Sequence, residues 1–316
     1  MNDEAFRPGS FSAAIAGLLG TGLVAGGVGV LTERPAIAAP FHDAAQAVAS
    51  ALPRGEIVER RLAGDDAFEY LAYVPTTARR GARILVTVHG ISRNARQHMR
   101  LMLPLAERYG VVLMAPRFPR ARFPAYQQLK PSADGRRPDT LVRKAARELA
   151  ELSGARHRRL YLFGYSGGAQ FVHRFVMRRP ERVAAYALGA AGWYTFPDEA
   201  RRFPYGLRRE RETGMGGFDA DAFLQVPGLV LVGERDIQRG TALRTSSRVM
   251  AQQGTSRFER GLNWSHAMNE AAAVRALPPP IEFTPLSRSP HSFALSMRRG
   301  DMGEKVFQRL FGAPPG

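Results

Sequence analysis

Short apolar segments alternate with amphipathic segments along the chain from residue 40 onward. Eight apolar segments are rich in β-branched and aromatic residues, and this composition predicts β-strands. The predicted strands are residues 56–61, 68–74, 83–88, 111–115, 160–163, 183–188, 229–232 and 281–285. Apolar residues at helical spacing predict helices at residues 97–109, 138–152, 169–178, 262–276 and 304–311.

This alternation predicts one α/β domain, residues 40–316, with a mostly parallel eight-stranded sheet flanked by helices. The first two strands are expected to form an antiparallel hairpin. The later strands lack polar alternation, which is typical of buried parallel strands. Residues 197–225, between the sixth and seventh strands, have no clear periodicity. We predict that they form a short lid-like insertion over the carboxyl ends of the strands, where open α/β sheets bind ligands.

The amino terminus has the layout of a secretory signal peptide. Residues 13–31 carry no charge and are followed by Pro35 and an Ala-Ile-Ala tripeptide at residues 36–38. We therefore predict a leader at residues 1–39 and a periplasmic or secreted protein. Six glycines in the uncharged run disfavour a helix. An uncleaved anchor, which would be the only membrane contact, and a cytoplasmic protein with a disordered leader are the alternatives.

The composition excludes several classes of protein. The chain has no cysteine, which rules out disulfide scaffolds, thiolate catalysis and cysteine-ligated metals. Its 45 Lys and Arg exceed its 28 Asp and Glu, giving a formal net charge of +17. Adjacent arginine pairs are scattered over many segments, so we expect no nucleic-acid partner. Only residues 201–211, within the predicted lid, gather five arginines, and the sequence leaves open whether they select anionic substrates.

The most specific motif is a Gly-x-Ser-x-Gly pattern centred on Ser166. The fifth predicted strand runs into Gly164-Tyr165-Ser166-Gly167-Gly168, and a predicted helix follows. This is the strand–turn–helix context of a nucleophile elbow. The turn is too tight for side chains two positions from the serine, which explains Gly164 and Gly168. Ser166 is therefore the candidate nucleophile, at a helix amino terminus that favours negative charge.

A serine nucleophile also needs donors for the oxyanion and a base. The third predicted strand ends in His89-Gly90-Ile91, and the loop after this strand supplies one oxyanion donor in nucleophile-elbow hydrolases. We assign the donors to the backbone N–H groups of Ile91 and Gly167. His89 precedes the serine in the chain, so we expect it to support this loop and not to act as the base.

Elimination among the seven histidines leaves His266 and His291 as candidate bases. His266 points about 200° away from the apolar face of its predicted helix, which favours a solvated side chain. His291 lies in the loop directly after the last predicted strand, from which an imidazole can reach the serine. Asp236, just past the seventh strand, is the candidate third member, with Glu234 and Asp198 as its rivals.

With these motifs the chain resembles the α/β-hydrolases, in the group of bacterial esterases and dienelactone-hydrolase-like, polyhydroxybutyrate-depolymerase-like and feruloyl-esterase-like proteins. The resemblance spans roughly residues 56–311 and rests on residues 89–94, 164–168, 189–195, 233–236 and 290–293. It implies a serine esterase with the triad Ser166, Asp236 and His291, which have the chain order of this fold. No metal or organic cofactor is implied.

The substrate is less closely defined, beyond a small-molecule or oligomeric ester. Trp193 and Tyr194 follow the sixth predicted strand and could line an aromatic substrate pocket, or could pack the insertion onto the domain. An amidase or peptidase would need the same triad, and a noncatalytic binding protein on a hydrolase scaffold is a further alternative. The sequence leaves the oligomeric state open.

Overall fold

The computed structural model describes residues 52–211, 214–238 and 243–314, apart from the side chain of Asp66. The predicted leader, residues 1–39, lies outside these ranges. Within them, no helix is both long enough and apolar enough to cross a membrane.

Eight strands form one sheet in the order β1-β2-β4-β3-β5-β6-β7-β8. They are β1 (Ile57–Leu62), β2 (Asp65–Tyr73), β3 (Arg83–Val88), β4 (Val112–Pro116), β5 (Arg156–Tyr165), β6 (Val183–Gly189), β7 (Gly228–Gly233) and β8 (Ile281–Leu286). β1 and β2 form the expected antiparallel hairpin, and β3 to β8 are parallel. The predicted mostly parallel sheet is confirmed, and its parallel strands share one carboxyl edge.

Helices flank this sheet. The described helices are α1 (Ala95–Tyr109), α2 (Pro138–Ser153), α3 (Gly167–Arg178), α4 (Ala220–Phe223), α5 (Ser247–Gln253), α6 (Arg257–Ala273), α7 (Phe293–Arg299) and α8 (Met302–Phe311). The five predicted helices are present. The short helices α4, α5 and α7 were not predicted, because one or two turns leave too few positions to show a helical period.

Helix α6 begins five residues before its predicted start. The hydroxyl of Ser256 caps it by accepting a hydrogen bond from the Glu259 N–H. Its first turn contains Arg257 and Arg260, whose side chains are almost fully buried. Buried arginines in the first turn hide the apolar periodicity, so the sequence pattern places the start too late.

The insertion, residues 197–225, connects β6 and β7, and its two halves have different contacts. Its second half lines a surface groove together with Arg159 and residues 178–181, at the amino ends of β5 and β6. Arg275, just beyond α6, pairs with Glu199 at 2.7 Å and with Asp221 at 2.9 Å. The second half of the insertion therefore lies near the amino ends of β5 and β6. The first half packs on the segment that follows β6, where the Thr195 hydroxyl donates to the Pro204 carbonyl at 2.7 Å and the ring of Tyr205 lies 5.5 Å from that of Trp193.

Candidate active site

Ser166 occupies a strained turn between β5 and α3. Its backbone has φ 54° and ψ −112°, a conformation that side chains disfavour. A Cβ atom at Gly164 would lie 2.2 Å from the Gly168 carbonyl oxygen, and one at Gly168 would lie 1.9 Å from the Val88 oxygen. Both positions therefore require glycine, and the turn lifts the serine side chain above the carboxyl edge.

The structure brings Ser166, His291 and Asp236 together in one chain of hydrogen bonds. His291 Nδ1 lies 2.7 Å from Asp236 Oδ2, and His291 Nε2 lies 3.2 Å from Ser166 Oγ. The Asp236 carboxylate accepts a hydrogen bond from the protonated Nδ1 of His291, so Nε2 presents its lone pair to the Ser166 hydroxyl. The Asp236 side chain is 2% exposed, whereas that of His291 is 28% exposed and borders the solvent.

The rival residues lie elsewhere. Asp198 pairs with Arg201 in the insertion, at 3.0 Å. Glu234 is exposed beside the end of β7, and His266 is exposed on the outer face of α6. None of them shares a hydrogen bond with Ser166 within the described part of the chain.

Asp236 has a second charged partner that the sequence did not predict. Arg257 Nη1 lies 3.1 Å from Asp236 Oδ1, and both side chains are less than 5% exposed. One carboxylate oxygen thus faces Arg257 while the other faces His291. A buried charge needs such a partner, since an unpaired carboxylate in this position would be costly. The pair also fixes the carboxylate plane, because both oxygens are held.

Stacked rings support the loop that carries His291. Tyr165 lies against the imidazole of His291, with ring centroids 5.5 Å apart and an interplanar angle of 24°. Phe293, two residues past His291, stacks on His98 of α1 at 3.8 Å and 10°. His98 is itself buried and hydrogen-bonded to Thr87 Oγ1 at 2.8 Å. These contacts hold the imidazole over the serine.

Two backbone amides lie beside Ser166. A Cβ atom at Gly167 would lie 3.2 Å from the Ile91 nitrogen, and one at Gly90 would lie 3.9 Å from Ser166 Oγ. The N–H of Gly167 is in the first turn of α3, where helical amides have no acceptor within the helix. Within the described ranges neither the Ile91 nor the Gly167 N–H donates to another protein group. Both are free to donate to a ligand.

His89 supports this loop and is not placed to act as a base. Its Nε2 accepts from the Phe118 N–H at 3.3 Å, so its Nδ1 carries the proton and donates to the Gly90 carbonyl at 2.8 Å. The hydroxyl of Tyr126 donates to the His89 carbonyl at 2.8 Å. Burial lowers the pKa of His89 to about 4, which keeps the imidazole neutral near pH 7.

A pocket of about 250 Å³ opens above Ser166. It is lined by residues 90–92, 94, 97–98, 165–166, 291 and 293. The sequence analysis missed His98, because a buried histidine on an amphipathic helix looks like any polar position. Among the described residues, no group of His, Asp and Glu side chains is arranged to hold a metal ion.

Trp193 and Tyr194 do not line this pocket. Tyr194 is fully buried and stacks on Trp264 of α6, with ring centroids 4.8 Å apart. Trp193 is also buried, with the guanidinium of Arg174 4.2 Å and that of Arg244 5.1 Å from its ring centre. The two aromatics pack the start of the long β6–β7 connection onto the domain, as the structural alternative expected.

Comparisons with known proteins agree with this geometry at the level of the fold. No protein-family model and no curated protein matches the chain. A poly(aspartic acid) hydrolase-1 from Sphingomonas sp. KT-1 superposes with a TM-score of 0.70 at 23% identity, over 83% of this chain and 100% of that one. The poly(3-hydroxybutyrate) depolymerase LpqC from Bordetella parapertussis gives 0.65 at 25% identity, over 79% and 85%.

A more distant neighbour, an S-formylglutathione hydrolase from Agrobacterium tumefaciens, has a TM-score of 0.53 at 14% identity over 80% of this chain and 94% of that one. The chain has the α/β-hydrolase fold, and the predicted resemblance to that superfamily is confirmed. All three neighbours are hydrolases, which supports a hydrolase on this fold.

Proposed function

We propose that the protein is a serine hydrolase that cleaves carboxylic esters through Ser166, His291 and Asp236. The observation that carries the proposal is the continuous hydrogen-bond chain from Asp236 through His291 to Ser166, with distances of 2.7 and 3.2 Å. This chain of hydrogen bonds ends at Ser166, which has a strained backbone and borders a pocket. This arrangement matches the roles of nucleophile, base and orienting carboxylate.

In the first half of the reaction, Ser166 Oγ attacks the ester carbonyl while His291 Nε2 takes the hydroxyl proton. The carbonyl oxygen becomes an oxyanion, which accepts hydrogen bonds from the Ile91 and Gly167 N–H groups. Removing one such donor typically costs about 10²- to 10³-fold in turnover. The tetrahedral intermediate then breaks the bond to the alcohol oxygen, which takes the proton from the imidazolium.

The second half repeats these steps with water. Water attacks the acyl-enzyme carbonyl as His291 takes its proton, and collapse of the second intermediate returns that proton to Ser166 Oγ. Asp236 stabilises the imidazolium formed in each half. Among the described residues Arg257 hydrogen-bonds Asp236 and neither Ser166 nor His291, so it acts as a positioning residue.

The test compares two serines of the same pocket. Ser166→Ala should lower kcat/KM for p-nitrophenyl butyrate by at least about 10⁴-fold and abolish labelling by a fluorophosphonate probe. Ser92 is exposed in the same pocket and, among the described residues, makes no hydrogen bond that links it to His291. Ser92→Ala should retain both activities. Unchanged hydrolysis in Ser166→Ala would contradict the proposal, and a native protein without any labelling would favour a noncatalytic binding protein.

Amide hydrolysis is a second candidate, because one structural neighbour is a poly(aspartic acid) hydrolase. The triad and the two oxyanion donors suit an amide as well as an ester. Comparing p-nitrophenyl butyrate with the p-nitroanilide of butyric acid separates the candidates. We expect the ester to be preferred, and a higher kcat/KM for the anilide would replace esterase by amidase.

A further inference from the structure

A second groove adjoins the pocket of Ser166, and we call it the outer groove. It has a volume of about 370 Å³. Asn94 and Gln97 line both the outer groove and the pocket, so the two spaces are neighbours across these side chains. The remaining polar lining of the outer groove consists of Arg96, Arg100 and Arg298. A substrate held at Ser166 that extends past Gln97 therefore meets arginines.

The two chain segments that form this groove are rich in arginine and contain no acidic residue. Residues 89–106 and 286–300 contain six arginines and neither Asp nor Glu. The guanidinium of Arg93 already donates hydrogen bonds to the Phe118 and Phe123 carbonyls. Arg96 pairs with Glu59.

Arg100 and Arg298 differ from Arg96, the third arginine that lines the outer groove. Both are exposed, and within the described ranges neither makes an ion pair or a hydrogen bond to the protein. Arg298 lies in the last turn of α7, where a cation also interacts favourably with the helix dipole. Arg100 lies in the middle of α1, where that explanation does not apply. Two guanidinium groups thus face a groove without a countercharge.

Apolar side chains accompany these charges. Leu101 of α1 and Ala294 of α7 also line the outer groove. An aliphatic chain fits such surfaces, and a terminal carboxylate fits a guanidinium, which presents paired N–H donors to its two oxygens.

We propose that the outer groove binds a carboxylate carried by the ester substrate, through Arg100 and Arg298. The inference rests on the proposed esterase function and defines its substrate class: esters whose acyl or alcohol part ends in a carboxylate. This site is separate from the arginine-rich insertion, none of whose residues lines the outer groove.

The experiment measures charge preference with matched esters. p-Nitrophenyl hydrogen adipate carries the carboxylate on its acyl part, and p-nitrophenyl hexanoate is its neutral counterpart of equal chain length. 4-(Butyryloxy)benzoate and 4-(butyryloxy)benzamide form the corresponding pair for the alcohol part. The charge ratio is kcat/KM for the anionic ester divided by kcat/KM for the neutral ester of the same pair.

The double variant Arg100→Gln/Arg298→Gln removes both unpaired charges. We expect it to lower the charge ratio of at least one pair by about three- to tenfold, in the range of two exposed ion pairs. Hydrolysis of the neutral esters should change by less than about twofold, because neither arginine contacts the catalytic residues.

The matched control is Arg79→Gln/Arg80→Gln. These two arginines are exposed near the amino end of β3, at the opposite edge of the sheet from Ser166. The control removes the same net charge, so it reports any attraction of anions by the whole basic protein. Its charge ratio should stay near that of the native protein.

The outcomes separate the two proposals. An unchanged charge ratio in Arg100→Gln/Arg298→Gln, or an equal fall in the control, overturns the outer groove as a carboxylate site while neutral esters are still hydrolysed. A native protein that neither hydrolyses the neutral esters nor reacts with a fluorophosphonate at Ser166 overturns the esterase function and, with it, this inference.

Discussion

The carboxyl edge of the sheet and the insertion between β6 and β7 are both rich in arginine, but their arginines have different surroundings. In and beside the insertion, Arg201 pairs with Asp198, and Arg275 pairs with Glu199 and Asp221. At the carboxyl edge, one arginine is buried against the Asp236 carboxylate, and two more face a groove without an acidic partner among the described residues.

The contrast shows that local charge density in a sequence does not determine which charges are paired. The insertion has the highest local density of arginine, and among its five arginines Arg201 forms an ion pair with an acid of the same segment. The groove beside Ser166 combines arginines from α1 and α7, which are almost 200 residues apart in the chain. Free charge depends on which acids lie nearby in space.

Replacing histidines should give the largest difference in activity between the carboxyl edge and a position away from it. His291→Gln should lower kcat/KM for p-nitrophenyl butyrate by at least about 10³-fold, since it removes the base from the catalytic edge. His266→Gln, on the exposed face of α6, should change it by less than about twofold. Loss of activity in the His266 variant alone would show that the base was misassigned.

Removing Arg257 should have an intermediate effect. Arg257→Met removes the cation that holds one oxygen of the Asp236 carboxylate, so the carboxylate orients His291 less well. We expect kcat/KM for p-nitrophenyl butyrate at neutral pH to fall by about tenfold.

Arg257→Lys retains the charge and should restore most of the activity. Equal losses of activity in Arg257→Met and Arg257→Lys would instead indicate that Arg257 only packs the start of α6.

The smallest effects are expected in and beside the insertion. Arg201→Gln and Arg275→Gln each break exposed or half-exposed ion pairs, so each should lower the free energy of unfolding by less than about 1 kcal/mol. Urea denaturation measures this change. The charge ratio for the paired esters should not move. A fall in the charge ratio would indicate that the insertion takes part in binding the substrate, as a lid would.

The elbow could be predicted from sequence because its requirements are local. Gly164 and Gly168 are fixed by contacts within a few residues and with the neighbouring strand β3, and the flanking strand and helix have clear periods. His291 and Asp236 followed from the rule that the ends of parallel strands meet at one edge. Such features need only the order of the elements.

The features that could not be predicted depend on contacts between distant segments. Arg257 lies 21 residues from Asp236, on a first helical turn that has no apolar period. The position of the insertion depends on Arg275, which comes after the whole of α6. The orientation of the Trp193 and Tyr194 side chains depends on Trp264, whose ring stacks on that of Tyr194. Aromatic content alone cannot distinguish a packed ring from a pocket wall.

The stacking of Phe293 on His98 has a consequence for engineering. The two rings join the loop that carries the imidazole of His291 to α1, so one contact serves both as a wall of the pocket and as an anchor of His291. Trimming either ring to admit bulkier substrates would also loosen the imidazole. Ile91 is the better position for redesign, because its side chain is 44% exposed and its assigned role belongs to its backbone amide.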